Sequence, residues 1–339
     1  MKLNWTRMAL PLRNPFTISR GTLYHQDCLI VSLSHGEFTG LGEVTCNAYY
    51  GHTYATLESS LQRVSDQIAN WELLHPGDFY DRCQEIIPQD RFALSAIDGA
   101  AYDLYGKVHK VSTREIMGLP PSATVASSFT LGIDSIDEMV RKYHEEPNWP
   151  IYKIKLGTPQ DLEIVRRLRQ ETNAVIRVDA NCAWTVAETI ENSRGLADLG
   201  VEFIEQPLPA DASEADHLKV FKNSRLPIIA DESCRTESDV LKCHGLFHGI
   251  NVKLCKCGGL TPAGRMLREA RELGLKTMVG CMIESTIGIS TAAQLLPLLD
   301  YADLDGAVHL AEDSAEGVRV ENGHIRLSAD PGHGVRLLL

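Results

Sequence analysis

The chain has no uninterrupted apolar run of the ~18 residues or more that a membrane helix takes, and its opening stretch MKLNWTRMALPLRN lacks the apolar core of a secretory leader. No membrane partner is expected, and the expected compartment is the cytoplasm. A basic surplus is missing too: 33 Lys and Arg stand against 45 Asp and Glu, a net charge of -12, and no basic run interleaves with aromatic residues. That balance argues against nucleic acid and anionic lipid as partners. Paired cysteine spacing is also absent. Nine cysteines, an odd number, are scattered over 339 residues, as in a reducing compartment rather than a disulfide framework. Cys255 and Cys257 in KLCKCGG form a C-x-C with no second pair nearby. That is a poor zinc set, and both are read as strand-end and loop residues.

What the chain does have is 44% hydrophobic content, enough for one large core and a smaller one. In the first 60 residues TRMALPL, CLIVSLS and GLGEV alternate apolar and polar positions, predicting an antiparallel meander. From Thr56 to about Val108 the spacing turns helical. Pro120 and Pro121 in GLPPS then mark a joint. Beyond it, ASSFTLG, IYKIKLG, AVIRVDA, VEFIEQP, PIIADES, GINVKLC, LKTMVGC and ADLDGAVHL alternate with amphipathic stretches. Eight strands separated by helices predict an α/β fold with a parallel, TIM-type barrel.

Polar residues close these runs at regular intervals. Thr130, Lys155, Asp179, Glu205, Asp231 and Lys253 are separated by 25, 24, 26, 26 and 22 residues, and Asp303 lies 50 beyond Lys253. The first five intervals are each about one strand–helix unit and the last about two, so these groups share one level at the C-terminal strand ends, where barrel enzymes carry their sites. Asp179, Glu205 and Asp231 end consecutive strands. Their mutual repulsion calls for a cation, and all-oxygen ligands select Mg²⁺, with Mn²⁺ as an alternative; the plain alternative is three helix caps. Lys155 and Lys253 fall across the barrel from each other, as two bases on opposite faces of a bound molecule would, an arrangement suited to epimerisation. Strand alternation turns Lys153 to the same side as Lys155, and this crowding is expected to depress both lysine pKa values.

The series KIK, VDAN, EQP, ADES, NVKLCKCGG and GCMIEST resembles the enolase superfamily in its muconate-lactonizing subgroup, and the match runs over the whole chain. The resemblance implies an α+β capping domain over 1–120, a (β/α)7β barrel over 121–315, and a segment, 316–339, that returns to the cap. It implies a metal on Asp179, Glu205 and Asp231, an acid/base pair in Lys155 and Lys253 (rather than Lys256), and Lys153 as their assistant. Asp303 and Asp305 in ADLDGAVH share a face and resemble the pair with which dipeptide epimerases hold a substrate's α-ammonium. The implied activity is therefore dipeptide epimerisation through an enediolate, with a small dipeptide as partner. A cycloisomerase or o-succinylbenzoate synthase on the same scaffold is the alternative, and a non-catalytic binding protein the alternative of another class. FTISRGTLYH matches the family's lid and NAYYGHT, with Tyr50, its second capping loop. Arg20 falls one place before the position of the glutamate-binding arginine, which Gly21 occupies, so the second residue of the dipeptide is left open. Thr130 and Glu284 are expected on the site wall, and His52 as a solvated loop residue or a substrate contact. A homo-oligomer is expected.

Overall fold

A computed structural model describes residues 1–121 and 125–338. Strand β1 (Lys2–Ile18) pairs antiparallel with β2 (Gly21–His35), and β2 with β3 (Phe38–Thr45). Four helices follow: α1 (Tyr54–Ile68), α2 (Pro76–Ile86), α3 (Arg91–His109) and α4 (Thr113–Ile116). In α1, Leu57, Leu61, Val64 and Ile68 recur at helical spacing and are all buried, while Thr53 and Thr56 form a capping box. The sheet lies unusually close to α3. A Cβ on Gly40 would stand 2.1 Å from the Ala100 carbonyl oxygen, and one on Gly42 2.0 Å from that of Ala96, so only glycine fits at either position.

The second unit is a parallel sheet of β4 (Phe129–Leu131), β5 (Ile151–Lys155), β6 (Val175–Asp179), β7 (Val201–Glu205), β8 (Ile228–Ala230), β9 (Gly249–Val252), β10 (Lys276–Gly280) and β11 (Tyr301–Asp303), in sequential spatial order. A parallel bridge between Ser127 and Ala302 joins its edges into a barrel. The crossover helices are α5 (Ile136–Glu145), α6 (Asp161–Glu171), α7 (Val186–Asp198), α8 (Glu214–Asn223), α9 (Glu237–Cys243), a short α10 (Leu254–Cys257) with α11 (Leu260–Glu272), and α12 (Thr286–Ala292). The main core lies between strands and helices. Inside the barrel, Phe203, Ile229 and Met278 form a separate apolar plug with Tyr301, on which the Arg177 guanidinium stacks, 5.2 Å from the Phe203 ring and 4.8 Å from that of Tyr301. The N-terminal half of the interior is thus filled, and polar chemistry is confined to the other end.

The tail forms β12 (Ala315–Glu316), β13 (Arg319–Glu321), β14 (His324–Arg326) and β15 (Arg336–Leu337). It reaches the cap through buried His333, whose backbone N–H donates to Asp103 and whose Nδ1 lies 2.9 Å from Thr113 Oγ1. One expectation changes: Cys255 and Cys257 are buried in α10, not in a loop, because Gly258 closes the helical turn at φ 111°. Among the described residues no helix is long and apolar enough to cross a membrane.

Candidate active site

Strand alternation turns Lys153, Lys155 and Asp179 into the barrel, and the ladder pairs Lys155 with Asp179 and Asp179 with Glu205. Asp231 and Lys253 stand one residue beyond β8 and β9. β5 and β9 are four places apart in a ring of eight, so Lys155 and Lys253 face each other across it with the acids between. Lys155 Nζ donates to Asp179 Oδ2 and Lys253 Nζ to Asp231 Oδ2, both at 2.7 Å. Lys153, fully enclosed, pairs with Asp303 at 2.7 Å, Glu205 at 2.8 Å and Asp179 at 3.3 Å.

This geometry overturns the expected depression of the Lys153 pKa. Burial disfavours its charge, but Asp303, Glu205 and Asp179 outweigh that penalty and hold it well above the ordinary lysine value. Lys253 is likewise raised, burial being overcome chiefly by Asp231. Among the acids, burial and the neighbouring Asp179 push Glu205 up to about 7. Asp231 goes well below the usual aspartate value, because Lys253 and Lys256 overcome burial.

One oxygen from each of Asp179, Glu205 and Asp231 lies within 4.8 Å of the others, the spacing of a hard-cation site. Asn181 Oδ1, Glu205 Oε2, Glu232 Oε2 and Asn251 Oδ1 are buried and take no hydrogen bond among the described residues. Glu205 Oε2 is near the Lys153 ammonium by distance but lacks hydrogen-bond geometry. Oxygens buried without donors are what a divalent ion satisfies, so the residues fit one.

Several residues that position this ring carried no legible signal. Lys256, set aside as a base, is buried and donates to Asp231, to its carbonyl at 2.6 Å and also to its Oδ1. Asn251 Nδ2 donates to Glu205 Oε1 at 2.8 Å. Gln206 accepts from the Asp231 and Ser233 backbone N–H groups and donates to Ser233 Oγ and the Leu208 carbonyl, tying the ends of β7 and β8. Its left-handed φ of 34° marks a constrained turn.

Above the ring is a cavity of about 350 Å³ that Lys155, Lys253, Thr130, Asp303, Asp305, Arg20, Gly21 and Tyr50 all line. The tip of the β1–β2 hairpin roofs it. Its base is fixed by the Ile133 N–H donating to the Thr17 carbonyl at 2.8 Å. Its tip is fixed by Arg20, which pairs with Glu232 at 2.9 Å, donates to the Asn181 carbonyl and stacks on Tyr49. Asp303 is saturated by Lys153, Ser128 and Thr130. Asp305 Oδ2 accepts from the Thr130 N–H and from His309, whereas its Oδ1 takes no hydrogen bond among the described residues. Glu284 does not line this cavity; it faces a small void with Glu43, Thr45 and Cys255, where burial pushes it up to about 8. His52 is neither solvated nor at the cavity, being half-buried and stacked 4.1 Å from the Phe92 ring.

The family model "Mandelate racemase / muconate lactonizing enzyme, N-terminal domain" matches residues 2–118, and "Enolase C-terminal domain-like" matches 135–338. The chain belongs to this family of the enolase superfamily. An L-Ala-D/L-amino acid epimerase of Flavobacterium johnsoniae is 51% identical over 100% of both chains. A hydrophobic dipeptide epimerase of Roseobacter litoralis is 37% identical over 98% of each. The crystal structure of a dipeptide epimerase from Enterococcus faecalis, complexed with Mg and L-Leu-L-Tyr, superimposes with a TM-score of 0.93 at 29% identity, covering 98% of each chain. The family's cap-and-barrel plan is thus the plan of this chain.

Proposed function

We propose that this protein is a dipeptide epimerase, an isomerase that moves the α-proton of the substrate's C-terminal residue from one face to the other. The observation that carries this reading is the placement of Lys155 and Lys253 on opposite walls of one cavity, with three carboxylates between them and an open acceptor on Asp305. Asp179, Glu205 and Asp231 would hold Mg²⁺, or Mn²⁺ in its place, which supplies the positive charge that makes an α-proton beside a carboxylate removable. Lys153, kept charged by its carboxylate neighbours, adds fixed positive charge to the same region. With a cation on Asp179, Glu205 and Asp231, those acids would no longer hold the proton on the lysines beside them, and one of the two facing lysines, as the free amine, takes the α-proton and becomes an ammonium. The opposite ammonium delivers its proton to the other face of the planar enediolate, and the two roles exchange in the reverse direction.

Asp305 Oδ1 is the seat for the dipeptide's ammonium, a charge-assisted contact worth roughly 1.5–3 kcal/mol. The C-terminal side chain falls under the hairpin among Ile18, Leu23, Tyr50 and Met282. With Arg20 engaged by Glu232, this favours an uncharged residue there over glutamate.

A dipeptide library incubated in D₂O with Mg²⁺ and scored by mass tests the reading. Deuterium should enter the C-terminal α-position of both stereoisomers, faster for L-Ala-L-Phe than for L-Ala-L-Glu, and exchange should stop after chelation. Absence of exchange from every dipeptide would defeat the proposal. Equal reaction of N-acetylated dipeptides would remove the ammonium seat and favour the cycloisomerase reading.

A further inference from the structure

Next to the substrate cavity lies a second one, also about 350 Å³, and the two share only Phe16, Thr130 and His309 as lining residues among those described. These three side chains belong to both walls. The His309 ring packs between Phe16, with centroids 5.2 Å apart, and Phe129, at 5.0 Å. Its Nε2 lies 2.9 Å from Asp305 Oδ2, and a carboxylate acceptor there places the ring proton on that nitrogen. Asp305, which lines the cavity, therefore has the imidazole on Oδ2 and no hydrogen bond on Oδ1 among the described residues.

The direction of the substrate's N-terminal residue follows from the dipeptide reading. An ammonium seated on Asp305 Oδ1 is bonded directly to the α-carbon of the N-terminal residue, so that residue's side chain begins beside the carboxylate that His309 touches. The hairpin crosses the cavity from Phe16, on this wall, to Arg20, over the loops that carry Asn181 and Glu232. The N-terminal residue thus lies at the Phe16 end and the reacting residue at the Arg20 end. We propose that His309, backed by Phe16 and Phe129, sets the size limit on the N-terminal residue of the substrate. It admits glycine and alanine and turns away long side chains, for which the space behind it has room. That space is lined by Phe129, Leu131 and charges of both signs, Arg13, Lys142 and Glu145, so once opened it would accept long polar side chains as well as aliphatic ones.

The test measures kcat/KM for dipeptides with a fixed, reactive C-terminal residue and Gly, Ala, Leu or Lys at the N-terminus, in the parent and in His309→Ala, His309→Gln and His309→Phe. Misfit of even a methylene in a closed pocket is worth about tenfold or more, so the parent should favour alanine over leucine and lysine by at least about tenfold. His309→Ala and His309→Gln should narrow that ratio by at least about tenfold, whereas His309→Phe, which restores a ring wall, should keep the parent preference. Glutamine can still donate an N–H towards Asp305, so its behaviour separates loss of the wall from loss of the hydrogen bond and carries the test if the alanine variant does not fold. A parent that accepts leucine as readily as alanine overturns the inference, as does a preference unchanged in the Ala variant, or in the Gln variant where the Ala variant does not fold. Those results leave the epimerase reading standing. A parent that exchanges no dipeptide α-proton removes both.

Discussion

At the scale of single residues, the two inward lysines of β5 differ in their surroundings and hence in their work. Lys153 is ringed by Asp179, Glu205 and Asp303 and has no exposed side-chain surface. It is fixed positive charge. Among the described residues Lys155 pairs with Asp179 alone, and it lines the cavity, the situation of a group that can turn towards a bound molecule. Lys253 has the same relation to Asp231 on the opposite wall. Removing either should therefore block transfer between faces without abolishing attack on one of them. Lys155→Ala should epimerise at least about 100-fold more slowly, the usual worth of a positioned acid or base, yet still exchange the α-proton of one stereoisomer through Lys253. Lys253→Ala should show the mirror-image preference. Proton NMR in D₂O, started separately from each stereoisomer, reads both rates. Parental epimerisation rates in both variants would rule out the two-lysine mechanism.

At the scale of elements, the turn from β9 into α11 shows how strongly local backbone geometry serves the site. Gly258 ends α10 at φ 111° and Gly259 starts α11 at φ 126°. A Cβ at Gly259 would stand 2.5 Å from Asp98 Oδ2. Gly259→Ala combines a disfavoured dihedral with a clash against a buried carboxylate, so it should destabilise the protein by at least about 2 kcal/mol. It should also weaken Mg²⁺ binding, because Lys256 in α10 is one of the groups, with Lys253 and Gln206, that hold Asp231. An unchanged urea midpoint would contradict this. Seven of the eight strands were legible because each combines an apolar run with a closing polar residue at near-constant spacing, and the remaining one, LKTMVGC, fills the double interval between Lys253 and Asp303; that spacing also located Asp179, Glu205, Asp231 and both facing lysines. The features missed or misplaced share a different cause. Lys256 acts through a helical turn that brings it back to Asp231, and Glu284 turns towards Glu43 of the cap. Neither relation is periodic. The direction of the Lys153 shift was misread because alternation names the residues on a face but does not count the carboxylates that gather around each.

At the scale of the whole molecule, cap and barrel are joined by cap carboxylates buried against barrel loops. Glu43 accepts from the Ser285 and Gly288 N–H groups, and Asp98 accepts from the Thr261 N–H at 2.8 Å and from its hydroxyl at 2.9 Å. The substrate cavity draws its walls from both units, so this junction holds the site together. Asp98 has no exposed surface, and burial pushes it up to about 7 against the opposing hydrogen bonds from Thr261. In the unfolded chain an aspartate titrates near 4. Between those values the folded state holds the proton and the unfolded state does not. The stability contributed by this group is therefore complete below about pH 4 and is lost as the pH rises through 7. A displacement of that size corresponds to roughly 4 kcal/mol. Asp98→Asn resembles the protonated acid in shape and cannot ionise, so it escapes this loss. About two thirds of that displacement falls between pH 5 and pH 8, so the Tm of the variant minus that of the parent should rise by roughly 4 °C over this range. Both proteins are measured with chelator present, so that the other buried acids, common to the two, cancel in the difference. A difference independent of pH across that range would show that Asp98 remains ionised at the junction.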